Sequence, residues 1–324
     1  MEDQVGSHYS KKSGTHQDNY VKKRKKGPAY PLKQFHNQVK RELIQTFGYG
    51  AENLLDFACG RGGDLYKWTS VKSLRYVKGV DLSSGSVEEA RSRYDSLKPN
   101  QKNFKADFEA TPKLGTADCY YGKFDLVTCM FALHYFLKTE EMANQFFSNV
   151  SQNLKVGGYF IGCCPDGERV IRCLGNEDSV KHPFLEIKKK WTKVADYGCG
   201  YSISLADTVT SAADEGDANA EVNDDLVEYL VLPSVLLSLA HKHNLEPVIN
   251  YSGEGRGRGG GGGGRVHGSA SGEGRVGRRA GRGEVRERGG GRGVGRGRRE
   301  SRRRSRSERT GRTGRLARRC RRVR

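Results

Sequence analysis

The chain has 324 residues, 57 of them Lys or Arg and 38 Asp or Glu, for a formal net charge of +19. Residues 251–324 hold 25 Arg and 6 Glu with no Lys or Asp, so the first 250 residues are neutral, with 32 basic and 32 acidic groups. This rules out a chain that is polybasic throughout and leaves room for one large core of about 200–250 residues. The most apolar run, Tyr229–Ala240 with Pro233 inside it, is too short to span a bilayer. No apolar leader follows Met1, so no signal peptide is expected. None of the eight cysteines sits in a C-x-x-C pair; they read as reduced intracellular thiols, with no metal site expected.

Residues 1–30 read as a polar, mostly disordered arm. Its cluster Lys22-Lys23-Arg24-Lys25-Lys26 suits nuclear import or contact with RNA phosphates. From Leu32 to Phe47, apolar residues recur at Leu32, Phe35, Val39, Leu43, Ile44 and Phe47, the spacing of a helix face. Strands and helices then alternate. Strands are predicted at Leu54–Ala58 and Leu74–Asp81, a short one around Phe104 ending at Asp107, then Phe124–Cys129 and Tyr159–Cys164. Helices are predicted at Asp64–Ser70, Ser84–Leu97 (N-capped by Ser84) and Glu140–Leu154, the last stopped by Gly157-Gly158. Such alternation implies an α/β fold, a mostly parallel sheet with helices on both faces. Beyond Pro165, Phe184–Trp191 and Tyr201–Leu205 read as strands outside that pattern, and Ala206–Asp225 as a loop. A helix at Pro233–His241 and a strand at Pro247–Tyr251 return to the sheet. From Ser252 the Gly/Arg composition cannot bury enough surface to fold, and 252–324 is expected to be disordered.

The informative stretch is Leu54-Leu55-Asp56-Phe57-Ala58-Cys59-Gly60-Arg61-Gly62-Gly63-Asp64. It is an apolar strand, a glycine-rich turn and a helix start, the place where an open α/β sheet takes nucleotide-like ligands. The dinucleotide fingerprint needs glycine at position 58, where Ala58 stands. Val77-Lys78-Gly79-Val80-Asp81 ends a second strand in an acid at the interval that suits ribose hydroxyls. An adenosine cofactor without a pyrophosphate fits better than NAD, and S-adenosylmethionine is the natural candidate.

Eight blocks in order resemble the eukaryotic mRNA cap guanine-N7 methyltransferases, a class I S-adenosylmethionine-dependent (Rossmann-like) family, over about residues 5–250. They include Val5-x-x-His8-Tyr9, Leu32-Lys33-x-Phe35-His36-Asn37-x-Val39-Lys40, the Gly60-Arg61-Gly62-Gly63-Asp64-Leu65-x-Lys67-Trp68 turn and Gly79-Val80-Asp81. The remainder are Ser86-Val87-x-x-Ala90-x-x-Arg93-Tyr94, Phe131-Ala132-Leu133-His134-Tyr135, Gly157-Gly158-Tyr159-Phe160-Ile161-Gly162 and Glu228-Tyr229-Leu230-Val231. The resemblance implies a cap methyltransferase domain at 31–251, with S-adenosylmethionine as cofactor and 5′-capped mRNA as substrate. It further implies a nuclear, monomeric enzyme working beside the capping guanylyltransferase or RNA polymerase II machinery, with no membrane.

Carried onto this sequence, the resemblance implies a cofactor side of Lys40, Ala58, Gly60, Asp81, Asp107, Met130 and Tyr135. The implied cap side is His36, Asn37, Arg61, Lys67, Arg93, His134 and Glu228. Arg61, Lys67 and Arg93 suit a triphosphate, and Glu228 suits the N1–H and 2-amino edge of guanine. Guanine N7 carries a free lone pair, so no general base is expected; His134, Tyr135 and Glu228 would position the reactants. His36 stands where many members have Asn, and Met130 where Gln is common. Members continue past the Pro247–Tyr251 strand with a helix and a last antiparallel strand, which is expected to be missing here. The tail in its place is either an Arg/Gly RNA-binding extension or a frame-shifted reading of GC-rich sequence. The other classes weighed are a methyltransferase for another RNA position or a small molecule, and a non-catalytic RNA binder working through the tail.

Overall fold

The structure, a computed structural model, describes residues 27–205 and 226–248 and the backbone of 319–322. The block at Val5–Tyr9, the Lys22–Lys26 cluster and the Ala206–Asp225 loop lie outside these residues.

Helix α1 (Tyr30–Phe47) begins two residues before the apolar stripe, with Pro31 in its first turn, where the missing N–H costs nothing. Only the C-terminal part of the stripe, Leu43, Ile44 and Phe47, is fully buried. The N-terminal half runs past the core and is free to present His36 and Lys40. Strand β1 (Asn53–Phe57) is buried from Leu54 to Phe57, as an interior parallel strand covered on both faces should be. Then follow α2 (Leu65–Trp68), β2 (Tyr76–Asp81), α3 (Ser84–Asp95), β3 (Lys105–Ala110), β4 (Phe124–Met130), α4 (Glu140–Asn153) and β5 (Leu154–Cys163). The N-cap of α3 is Ser83, whose side chain accepts from Ser86 N, and not Ser84.

The main sheet has the order β10-β11-β5-β4-β1-β2-β3, where β10 is Leu245–Val248 and β11 is Arg319–Arg322. Strands β1 to β5 pair in parallel, and the order reverses between β1 and β4, the point where open α/β sheets bind ligands. Helices α1, α2 and α3 pack on one face. Helices α4 and α6 (Pro233–Lys242) cover the other. This is the class I methyltransferase fold.

The structure corrects two expectations. Strand β3 does not end at Asp107: it pairs with all of β2, from Tyr76↔Lys105 to Asp81↔Ala110. Gly157-Gly158 does not stop α4, which ends at Asn153; β5 starts at the buried Leu154 and absorbs the glycines in a register shift between the Phe124↔Leu154 and Leu126↔Tyr159 pairs. Gly157 there has φ +79°, and a Cβ on Gly158 would stand 2.9 Å from Asp125 O. The backbone of β11 lies antiparallel between β5 and β10, since ladder hydrogen bonds use main-chain groups that every non-proline residue carries.

A second sheet stands apart from the alternation, all antiparallel, in the order β6-β7-β8-β9. Its strands are Ser179–His182, Leu185–Lys189, Gly200–Leu205 and Val227–Tyr229. Helix α5 (Gly167–Leu174), capped by the Asp166 side chain, packs against it through Val170 and Leu174. Neither α5, β6 nor β9 was expected.

Candidate active site

The turn after β1 winds through alternate left-handed residues, Ala58 (φ +57°), Gly60 (φ +52°) and Gly62 (φ +67°). At Gly62 the conformation and the space both demand glycine: a Cβ would stand 2.8 Å from Leu65 Cδ1 and 3.3 Å from Ala90. Asp81, at the end of β2, ties the turn down. Its Oδ2 accepts from Gly60 N at 2.7 Å and its Oδ1 from Ser83 N at 2.9 Å. Burial pushes the Asp81 carboxyl up, while those backbone donors pull it back. Each carboxylate oxygen keeps a lone pair for a further donor.

Beside the turn, Asp64 is buried between two ammonium groups. Lys40 from α1 and Lys67 from α2 both reach its Oδ1 at 2.7 Å. Burial alone would raise the Asp64 carboxyl, but the two lysines reverse this and hold it below the usual carboxylate range. Burial pushes the Lys67 ammonium down, against the pull of Asp64. At the end of β4, after Met130, Phe131 adopts φ +61°. Its ring meets that of His36, with centroids 4.6 Å apart, and lies 6.0 Å from Lys40 Nζ. Burial, then the nearby Lys40 charge, lowers the His36 pKa.

Three residues further on, a 3-10 turn (Leu133–Lys138) carries His134 and Tyr135, whose rings lie 4.3 Å apart. His134 is fully buried, and its Nε2 lies 3.6 Å from Glu228 Oε1 in β9. Burial lowers its pKa despite that carboxylate, and neither ring nitrogen has a hydrogen-bond partner. Two such acceptor or donor positions sealed from water are costly unless a ligand meets them. The other Glu228 oxygen accepts from the Tyr201 hydroxyl at 3.0 Å. A third group lies on α3, where Glu89 pairs with both Arg61 (3.4 Å) and Arg93.

The structure therefore gathers Gly60, Asp81 and Thr111 (whose N–H donates to Asp81 O) at the strand ends. It joins Lys40 with Lys67, His36 with Lys40 and Phe131, His134 with Tyr135 and Glu228, and Arg61 with Arg93. Two residues are not gathered. The Asn37 amide donates to Lys33 O along its own helix at 3.0 Å. Asp107 is opposite Lys78 and pairs with it at 2.6 Å. That register sets it three residues, about 10 Å, back from the level of Asp81 and on the opposite face of the sheet, so its expected contact with an adenine amino group finds no support.

Asp64, Glu89, Phe131 and Tyr201 were missed as site residues. Asp64 and Phe131 lie inside quoted motifs, and Glu89 is four residues before Arg93 on one helix face, a readable signal. Tyr201 had none, because its partner lies 27 residues away across a ladder.

Residues 1–253 match the family model described as the mRNA (guanine-N(7))-methyltransferase domain. The mRNA cap guanine-N(7) methyltransferase 1 of Oryza sativa subsp. japonica is 33% identical over 264 aligned residues, covering 76% of this chain and 66% of the relative. That of Arabidopsis thaliana is 30% identical over 268, covering 75% and 65%. The chain thus spans a little under two-thirds of the length of these relatives. Among solved structures, an S-adenosylmethionine-dependent methyltransferase from Clostridium acetobutylicum ATCC 824 aligns over 65% of this chain and 79% of its own, with a TM-score of 0.44 and 18% identity. With the strand order, the glycine turn and the buried His134–Glu228 pair in place, the family match decides the matter: the chain belongs to the mRNA (guanine-N7)-methyltransferase family.

Proposed function

We propose that this protein methylates N7 of the guanosine that caps 5′-triphosphate-linked mRNA, using S-adenosylmethionine as methyl donor and capped mRNA as substrate. The observation that carries the reading is Glu228, a buried carboxylate beside an imidazole with two unpartnered nitrogens. Guanine offers N1–H and a 2-amino group on one edge, two donors that an acceptor carboxylate matches and that adenine lacks.

The residues present fit the cofactor. A Cβ built on Gly60 meets nothing within 4 Å, so the turn opens onto free space beside the Asp81 carboxylate. Asp81 would accept from the ribose hydroxyls, and Lys40 would balance the amino-acid carboxylate. S-adenosylmethionine, when bound, supplies an electrophilic methyl group on a cationic sulfur.

Arg61, Arg93 and Lys67 would hold the triphosphate, while His134, Tyr135 and Glu228 hold the purine. N7 has a free lone pair, so no side chain has to remove a proton. The contribution of the protein is alignment, worth several kcal/mol and at most about 7–11. Glu228 adds stabilisation as positive charge spreads onto the purine. The basic sequence cluster at Lys22–Lys26 and the capping chemistry both favour a nuclear enzyme working close to the guanylyltransferase and polymerase that supply unmethylated caps.

The test is incubation of the full chain with methyl-labelled S-adenosylmethionine and GpppG-capped RNA, followed by nuclease digestion. The expected product is labelled N7-methylguanosine. Label at another position, or none, overturns the reading.

A further inference from the structure

Tyr201 lies in β8 directly opposite Glu228 in β9, as register partners. It is 1% exposed, and its hydroxyl is hydrogen-bonded to Glu228 Oε2 at 3.0 Å. Among the described residues His134 also faces this carboxylate, its Nε2 standing 3.6 Å from Oε1, beyond good hydrogen-bond reach. The Tyr201 hydroxyl thus braces one oxygen and leaves the other open to His134 and to a ligand. Burial, then the adjacent Glu228, pushes the phenol well above its ordinary range, so the group stays protonated and can serve only as donor to the carboxylate.

A glutamate side chain has three rotatable bonds, and a carboxylate recognises a two-donor edge only when its plane is fixed. Strand pairing supplies the fixed point here: the ladder sets the Cα positions of residues 201 and 228, and the rigid ring carries the hydroxyl to the carboxylate. We propose that Tyr201 is a positioning residue, which sets the orientation of Glu228 and through it the preference for guanine over purines lacking the 2-amino group. This inference rests on the reading of Glu228 as the guanine acceptor.

Tyr201→Phe removes one oxygen and keeps the ring that packs with Ile187, Cys199 and Leu230 in the core of the second sheet. The experiment measures kcat and KM of the full chain with GpppG and with its inosine-capped counterpart IpppG, and the Kd for S-adenosylmethionine by calorimetry. The wild type is expected to favour GpppG by roughly tenfold or more in kcat/KM, the value of one well-made hydrogen bond to a charged group. Tyr201→Phe should lose most of that preference, with cofactor Kd changed less than about twofold and folding verified by circular dichroism. In a Glu228→Gln background the same substitution should change the preference no further. A variant that retains the wild-type preference overturns the proposal. So does a loss of preference that is additive with Glu228→Gln, which would mark a general packing defect. Failure of the wild type to make N7-methylguanosine from GpppG would instead overturn the function on which the proposal rests.

Discussion

Asp56, in the middle of β1, offers a quantitative test of the electrostatics beneath the glycine turn. It is 3% exposed, its Oδ1 accepts from the Thr128 hydroxyl on the neighbouring strand, and its carboxyl is pushed from the ordinary 3.8 up to about 8, by burial first and then by the nearby Asp64 charge. The folded protein therefore keeps Asp56 protonated at pH 7, while the unfolded chain releases that proton above about pH 4. Across this window the unfolded state binds fewer protons than the folded one, so stability from this group is fully present below pH 4 and falls as pH rises towards 8. The loss between pH 5 and pH 7 comes to about 2–3 kcal/mol.

Asp56→Asn replaces the neutral carboxyl with a neutral amide of the same shape and has no proton to lose. The variant should gain that same 2–3 kcal/mol on the wild type between pH 5 and pH 7. With a urea m-value of roughly 2–3 kcal/mol/M for a domain of this size, its midpoint advantage should grow by about 1 M. Paired urea titrations at the two pH values measure it. A difference that stays constant across the range would show that Asp56 does not titrate between the two states, and the argument would fail.

Asp64→Asn, only eight residues away, should act in the opposite sense, because it leaves Lys40 and Lys67 facing a neutral partner in a buried place. A destabilisation of about 3 kcal/mol is expected at pH 7, read as a lower urea midpoint; a neutral or stabilising result would refute the assigned role of Asp64. Gly62→Ala forces an L-residue to φ +67° and a methyl against Leu65 and Ala90, so it should cost at least about 1–2 kcal/mol and weaken cofactor binding by calorimetry. Glu228→Gln should lower kcat for GpppG sharply and leave the Kd for S-adenosylmethionine unchanged; unaltered turnover would remove Glu228 from the reaction.

The parts of this protein legible in its sequence are those whose cause is local. β1 announces itself as an unbroken apolar run, and Gly60, Gly62 and Asp81 sit at spacings fixed by one strand–turn–helix unit. α1 is visible in its period, although the period cannot tell that Leu32, Phe35 and Val39 stay half-buried where the helix leaves the sheet. The features that were misread depend on pairing partners. Gly157-Gly158 has the composition of a helix stop, but the ladder with β4 recruits the chain at Leu154 and folds the glycines into an irregularity. β3 extends past Asp107 because β2 offers it three more partners. In the site, Asp81 could be read from spacing alone, whereas the bond between Tyr201 and Glu228 exists only once two distant strands align. Helix α5 was within reach: Asp166 caps it through Arg169 N, and an Asp-Gly-Glu start is a recognisable opening.

The two bonds that Asp81 accepts from Gly60 and Ser83 make the carboxylate a brace as well as the proposed ribose acceptor. Removing it slackens the loop and, on the proposed reading, deletes a ribose contact in one stroke, so the phenotype of an alanine at that position would merge two losses. Chemistry done on the nucleoside separates them. A cofactor stripped of one ribose hydroxyl meets a loop still strapped in place, and the affinity it forfeits belongs to that hydroxyl alone.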